Sequence, residues 1–183
     1  MEEIRIFISH KKEDSNKAKA VYEYIKNNWK FDAYLDEFDK QINYHNVVER
    51  IVKNLRDSTH LLVIFSEHTI NSMWVPFELG VSYERGQGIG VLIWPDETNL
   101  PYNLPEYLDE FPKLSCNRKY HYDKCYIDDL DKYLEEIKEI PNKIILEESL
   151  KFEADEFGFT KRASEINYAA EFIRRLKEKL GQR

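Results

Sequence analysis

The sequence predicts an α/β fold, a five-stranded parallel sheet with helices on both faces, followed by a C-terminal helical extension. Three observations predict it. Short β-branched or aromatic runs alternate with amphipathic stretches, and the connections between them are short. The run HLLVIF at 60–65 is apolar without interruption, as a central strand covered on both faces must be. Alternation of this kind folds with right-handed crossovers, so the strands lie parallel.

Taken in order, IRIFIS (4–9) is a strand that stops at the polar cluster SHKKEDSN, where Asp14 and Ser15 are candidates to start a helix. That helix, over about 15–28, places Ala18, Val21, Tyr22 and Ile25 on one face. FDAYLD (31–36) is a short strand running into the acidic loop DEFDKQINY. A second amphipathic helix, over about 44–57, has Val47, Val48, Ile51 and Leu55 as its inner stripe. After the central strand, NSMWVPFELG opens a helix over about 72–85. Proline lacks the amide of the helical ladder and is tolerated mainly in the first turn, so Pro76 places the start between Ser72 and Val75.

GIGVLIW (88–94) is another buried strand, halted by Pro95. The next stretch, PDETNLPYNLPEYLDEFPK, carries four prolines and reads as loop with a short helical piece at 106–110; a fifth strand falls within 111–122. YIDDLDKYLEEIKEI (126–140) has Ile127, Leu130, Leu134 and Ile137 at helical spacing and is stopped by Pro141. Residues 141–183 read as an addition, with IILEESLKFEADEF ambiguous and then an amphipathic helix over about 162–180. The expected division is therefore a domain over 1–140 and a helical extension over 141–183 packed on the core.

At 183 residues there is room for one ordinary domain with a full core. The composition, 42% hydrophobic and 33% charged, is too apolar for a disordered chain and too interrupted by charge for a membrane protein. No run approaches the roughly 18 apolar residues of a spanning helix, and the amino end, MEEIRIFISHKKED, has no signal-like apolar stretch. A cytoplasmic protein without membrane partners is expected. The net charge of −7 argues against nucleic acid as a partner, and the basic pairs Lys11-Lys12 and Arg174-Arg175 are too short to reverse that. Cys116 and Cys125 flank His121, but three ligands do not close a structural zinc site, so two reduced thiols and no metal are expected.

GQGIG (86–90) superficially matches a dinucleotide-binding loop. Such a loop must follow a strand and open a helix, whereas this one closes a helix and opens a strand. Gly86 is better explained as a helix C-cap. In an open parallel sheet, ligands bind outside the carboxyl ends of the strands. That rule selects Ser9 and His10 after the first strand, Asp36, Glu37 and Asp39 after the second, and Ser66 with the loop to Trp74 after the third. Each of these alone has an ordinary explanation as a turn or loop residue. Glu78 stands within about two turns of its helix start and four residues after Trp74. From the residues alone two readings stay open: a functional carboxylate beside an indole, or an acid that complements the helix dipole or pairs with a surface lysine.

Taken together, IFISHKKED, FDAYLDEFD, LLVIFSEHTINSMWVPFELG and GVLIWPD resemble, in order and spacing, bacterial Toll/interleukin-1 receptor (TIR) domains, well over 4–95 and loosely over 96–140. The most specific feature is W-x-x-x-E at Trp74 and Glu78, preceded by a strand that ends at Ser66. The resemblance implies a flavodoxin-like sheet. It also implies an activity, cleavage of NAD+ between nicotinamide and ribose, with Glu78 as catalytic carboxylate and NAD+ as substrate, so that no further cofactor is needed. Trp74 would wall the ribose or nicotinamide pocket, with Phe7, Ser9 and His10 at the nicotinamide end and Ser66 and Asp36 among the binding residues. Residues 36–43 would form the loop that closes over ligand or meets a neighbouring subunit; they lack the glycine or proline often found there. In anti-phage systems of the Thoeris type, short stand-alone proteins of this family make cyclic ADP-ribose isomers that a separate effector protein senses, and NAD+ often binds between two TIR units. A homo-oligomer and such an effector are therefore the implied partners. The competing expectations are a non-catalytic scaffold acting by homotypic assembly, and an enzyme like the nucleoside 2-deoxyribosyltransferases.

Overall fold

Five β-branched and aromatic runs form strands: β1 (Arg5–Ser9), β2 (Asp32–Leu35), β3 (His60–Phe65), β4 (Gly88–Ile93) and β5 (Lys113–Ser115). In this computed structural model, which describes residues 4–35, 47–94, 104–115, 128–139 and 159–182, with Asp128 and residues 159–167 as backbone, all strand pairs are parallel. The order is β2-β1-β3-β4-β5. This is the expected five-stranded parallel sheet of flavodoxin-like order. Every residue of β3 is buried, as its unbroken apolar run requires.

Five helices cover the sheet: α1 (Ser15–Tyr24), α2 (Val47–Arg56), α3 (Trp74–Glu84), α4 (Asp128–Glu139) and α5 (Phe159–Lys179). Alternation along the strands sends Ile6, Ile8, Leu62, Ile64 and Leu92 to one face, where Ala18 and Val21 of α1, Leu130 and Leu134 of α4 and Phe172 and Leu176 of α5 meet them. Phe7, Leu61, Val63, Phe65 and Val91 go to the other face, against Ile51 and Leu55 of α2 and Val75 and Leu79 of α3. Successive connections therefore leave the sheet on opposite sides at β1 and β3, which are neighbours. A crevice opens there at the carboxyl edge.

Two local readings change. Val48, placed in the inner stripe of α2, is 46% exposed, because Ile51 and Leu55 alone meet the sheet and the helix turns Val48 outward. Asp14, a candidate helix starter, makes no cap hydrogen bond to α1; its side chain is turned into the interior. The glycine run behaves as a turn followed by packing positions. Gly86, at φ 70°, ends α3 with two hydrogen bonds, its amide to Tyr83 O at 3.0 Å and the Gln87 amide to Ser82 O at 3.0 Å. A Cβ on Gly88 would lie 2.5 Å from His60 Cδ2, and one on Gly90 2.8 Å from Tyr133 Cδ2. These two positions make room for rings.

The ring cluster joins α4 and α5 to the amino ends of β3 and β4. His60 Nε2 hydrogen-bonds Tyr168 Oη at 2.7 Å and its Nδ1 hydrogen-bonds Thr59 Oγ1 at 2.8 Å. Phe172 packs edge-on to Tyr133 at 5.7 Å. Burial pushes the His60 imidazole down from 6.5 to about 3, so it is neutral at physiological pH. After α5, the Gln182 side chain lies along the edge of the sheet, where its Oε1 accepts from the Lys113 amide at 2.9 Å and its Nε2 donates to the Lys113 carbonyl. It stands where the next strand would otherwise pair. The expected boundary at 140/141, the ambiguous piece at 144–157 and both cysteines lie outside the described residues. Among the described residues, no helix is long and apolar enough to cross a membrane.

Candidate active site

Strand alternation puts Phe7 and Ser9 on the same face as α2 and α3. Helix α3 starts at Trp74, where the Ser72 hydroxyl accepts from the amides of Trp74 at 3.3 Å and Val75 at 3.4 Å. Pro76 is its third residue, as the missing amide demands. Glu78 then falls in the second turn, on the side that carries Val75 and Leu79 against the sheet, and is 4% exposed. There the Ser9 hydroxyl donates a hydrogen bond to Glu78 Oε2, and both groups are buried. Burying a carboxylate costs several kcal/mol, of the order of 3–5, unless its charge is met by partners. The surface-lysine reading of Glu78 asks for an exposed side chain, and this one points inward at the carboxyl edge of the β1–β3 pair.

The other expected site residues occupy different layers. Trp74, one turn before Glu78, is 42% exposed and stands at the rim with its ring edge-on to Phe77 at 6.0 Å. His10 is half-buried immediately after β1. Phe7 is wholly covered two residues before Ser9, its ring tilted against Tyr34 at 5.3 Å. Asp36 and the loop of residues 36–43 lie outside the described residues. Ser9, Glu78, His10 and Trp74 thus gather at one edge, with Phe7 beneath them.

Ser66 has a different set of partners. Its hydroxyl donates to Asp14 Oδ2 at 2.6 Å and accepts from the His68 amide at 3.1 Å, while its own amide donates to Thr69 Oγ1 at 3.1 Å. The short 3-10 turn Glu67–Thr69 is capped in this way. Asp14 is fully buried; it also receives Thr69 Oγ1 at 3.4 Å and pairs with Lys17 Nζ at 2.8 Å. Lys17 in turn lies over the Trp94 ring, 6.0 Å from its centroid. Sequence reasoning missed this cluster. The available signal was S-x-x-T at Ser66 and Thr69, a cap pattern whose spare hydrogen-bonding capacity asks for a buried acceptor.

Among the described residues, no group of three or more His, Cys, Asp or Glu side chains could hold a metal ion. Cys116, His121 and Cys125 are outside them.

A family model described as TIR domain matches residues 6–134. The chain belongs to the TIR domain family. The matched region contains Ser9, Asp14, Ser66, Trp74 and Glu78 and ends inside α4, so α5 lies beyond it. Solved TIR structures are also similar. One is the TIR domain of the Toll-related receptor TRR-2 from Hydra magnipapillata, 11% identical, covering 78% of this chain and 95% of that one, with a TM-score of 0.49. Another is the activated Roq1 resistosome (TIR domains), 12% identical, covering 97% of this chain and 99% of that one, with a TM-score of 0.41. No curated protein matches the chain in sequence.

Proposed function

We propose that this TIR domain is a glutamate-dependent NAD+ nucleosidase or cyclase that breaks the bond between nicotinamide and ribose. The observation that carries the reading is the buried Glu78 carboxylate at the carboxyl edge of β1 and β3, held by the Ser9 hydroxyl. The chemistry needs little else. The ribose C1′–nitrogen bond breaks and its electron pair goes to the pyridinium nitrogen, so nicotinamide leaves neutral and without a proton. Positive charge is left on the ribosyl oxocarbenium. A fixed carboxylate beside the ribose stabilises that charge and can hold the ribose hydroxyls, an electrostatic role that is paid for in advance by the fold. One Glu78 oxygen is oriented by Ser9, and the group is presented at a defined angle.

What attacks C1′ next sets the product. Water gives ADP-ribose and releases a proton; an adenine nitrogen of the same molecule gives a cyclic isomer. In the second case the product is a diffusible messenger in anti-phage defence of the Thoeris type, made in the cytoplasm and sensed by a separate effector protein. NAD+ is the substrate, and the scheme calls on no additional cofactor. Trp74 at the rim offers its face to a flat ring, with His10 beside it.

A second reading has its own observation. Met73 is 85% exposed, and Trp74, Phe77 and Tyr83 are exposed on the same helix, which leaves α3 with an apolar outer surface. That surface favours assembly between copies, either as a scaffold or as the form that completes the site. The test is product analysis by chromatography and mass spectrometry of NAD+ incubated with the purified protein, dilute and crowded. Nicotinamide with ADP-ribose or an isomer supports the enzyme. Intact NAD+ with concentration-dependent association supports the scaffold. Base exchange on a nucleoside lacking pyrophosphate would point to deoxyribosyl transfer.

A further inference from the structure

Two bridges join the same pair of chain segments at the carboxyl edge. The first is Ser9 to Glu78, which unites positions 69 apart in the sequence. The second is Asp14 to Ser66, with Thr69 as a further donor to the same Oδ2. Both run from the connection after β1 to the connection after β3. The first belongs to the chemistry proposed above; the second touches no part of it directly.

We propose that Asp14 is a positioning residue, whose buried carboxylate locks the β1–α1 connection to the β3–α3 connection and thereby sets the Ser9–Glu78 geometry. Its fixed place comes from both sides. The Asp14 amide is held by the Lys11 carbonyl at 2.8 Å, within the short turn Lys12–Asp14 that leads out of the strand bearing Ser9. On the other side, Thr69 accepts at its carbonyl from the Ser72 amide at 2.9 Å, and Ser72 is the residue whose hydroxyl caps α3. A continuous set of hydrogen bonds therefore leads from Asp14 to the first turn of the helix that carries Glu78. Lys17 and Trp94 extend the same cluster to the end of β4, whose Trp94 amide donates to Phe65 O at 2.8 Å. Three strand ends are tied together around one carboxylate. This also gives Ser66 a task in the site without contact with substrate: it is the donor through which Asp14 grips the β3–α3 connection.

The inference rests on the NAD+ reading for its kinetic consequence only, because the brace itself is a property of the fold. The experiment uses the full chain and two variants, Asp14→Asn and the milder Ser66→Ala, with two readouts. Amide hydrogen exchange is followed at residues 66–75 relative to the amides of β3 and β4, and NAD+ turnover is measured alongside. Loss of the brace is expected to speed exchange at 66–75 about tenfold, with β3 and β4 unchanged, and to lower kcat about tenfold while KM stays within about twofold, since a small misplacement of a reacting group penalises the chemical step most. Unchanged exchange at 66–75 in Ser66→Ala and in any folded Asp14→Asn overturns the brace. Faster exchange with kcat unchanged overturns its link to the Ser9–Glu78 pair. If the unmodified protein does not cleave NAD+, the proposed function fails, and the exchange data still decide the brace.

Discussion

The hydroxyl of Ser9, the last residue of β1, donates to Oε2 of Glu78, in the second turn of α3. The pair couples the sheet to the helix at the edge where parallel sheets bind ligands. Nothing about folding requires an acid there, and a leucine would pack among Val75 and Leu79 at lower cost.

Ser9→Ala removes that donor while leaving Glu78 in place. A hydrogen bond to a charged group contributes about 1.5–3 kcal/mol, so kcat is expected to fall about 10- to 100-fold. The pocket wall is untouched, and KM should change far less. Steady-state kinetics on NAD+ with a thermal melt as control measures it, and an alanine variant with unaltered kcat would remove Ser9 from the mechanism.

Trp74 tests binding separately from chemistry. Its ring is half-exposed at the rim and contributes little to the core, so Trp74→Ala should shift stability by no more than about 0.5 kcal/mol. Loss of ring-on-ring contact with nicotinamide, about 0.5–1.5 kcal/mol, should raise KM about three- to tenfold with kcat nearly constant. A fall in kcat at unchanged KM would place Trp74 in the chemical step instead.

His60 makes stability depend on pH. Its folded imidazole titrates at about 3, below the ordinary 6.5 of the unfolded chain, so between these values the unfolded state binds the extra proton. Stability therefore rises with pH across that window; the His60 contribution is complete above about pH 6.5 and is lost as pH falls toward 3. The limiting slope is about 1.4 kcal/mol per pH unit. Denaturant melts between pH 5 and 6.5, above the main carboxylate range, should show this slope, and His60→Gln should flatten it. An equal slope in the variant would assign the effect to another group.

Much of the fold was legible because its signals are local. HLLVIF was placed to the residue, since an apolar run bounded by polar residues has sharp ends. The fifth strand could only be bracketed, because Lys113–Ser115 is too short to show a period. Glu136 in α4 was read as a solvated acid, yet it is fully buried between Arg175 Nε at 2.7 Å and Lys179 Nζ at 2.6 Å, partners that only the packing of α5 supplies. The site divides in the same manner. Pro76 located the helix start, and with it Glu78, from sequence alone. The Asp14–Ser66 contact spans 52 positions and reflects no spacing rule, so the same serine could be placed at the correct edge but not given its partner.

The most direct test of the central claim is the fate of NAD+ with the purified protein and with Glu78→Gln, which keeps the shape and removes the charge. The unmodified protein should release nicotinamide together with ADP-ribose or a cyclic isomer. The variant, equally folded by thermal melt, should release at least about a hundredfold less. Equal release by both proteins would contradict the assignment of Glu78, and no release by either, dilute or crowded, would contradict the enzymatic function itself.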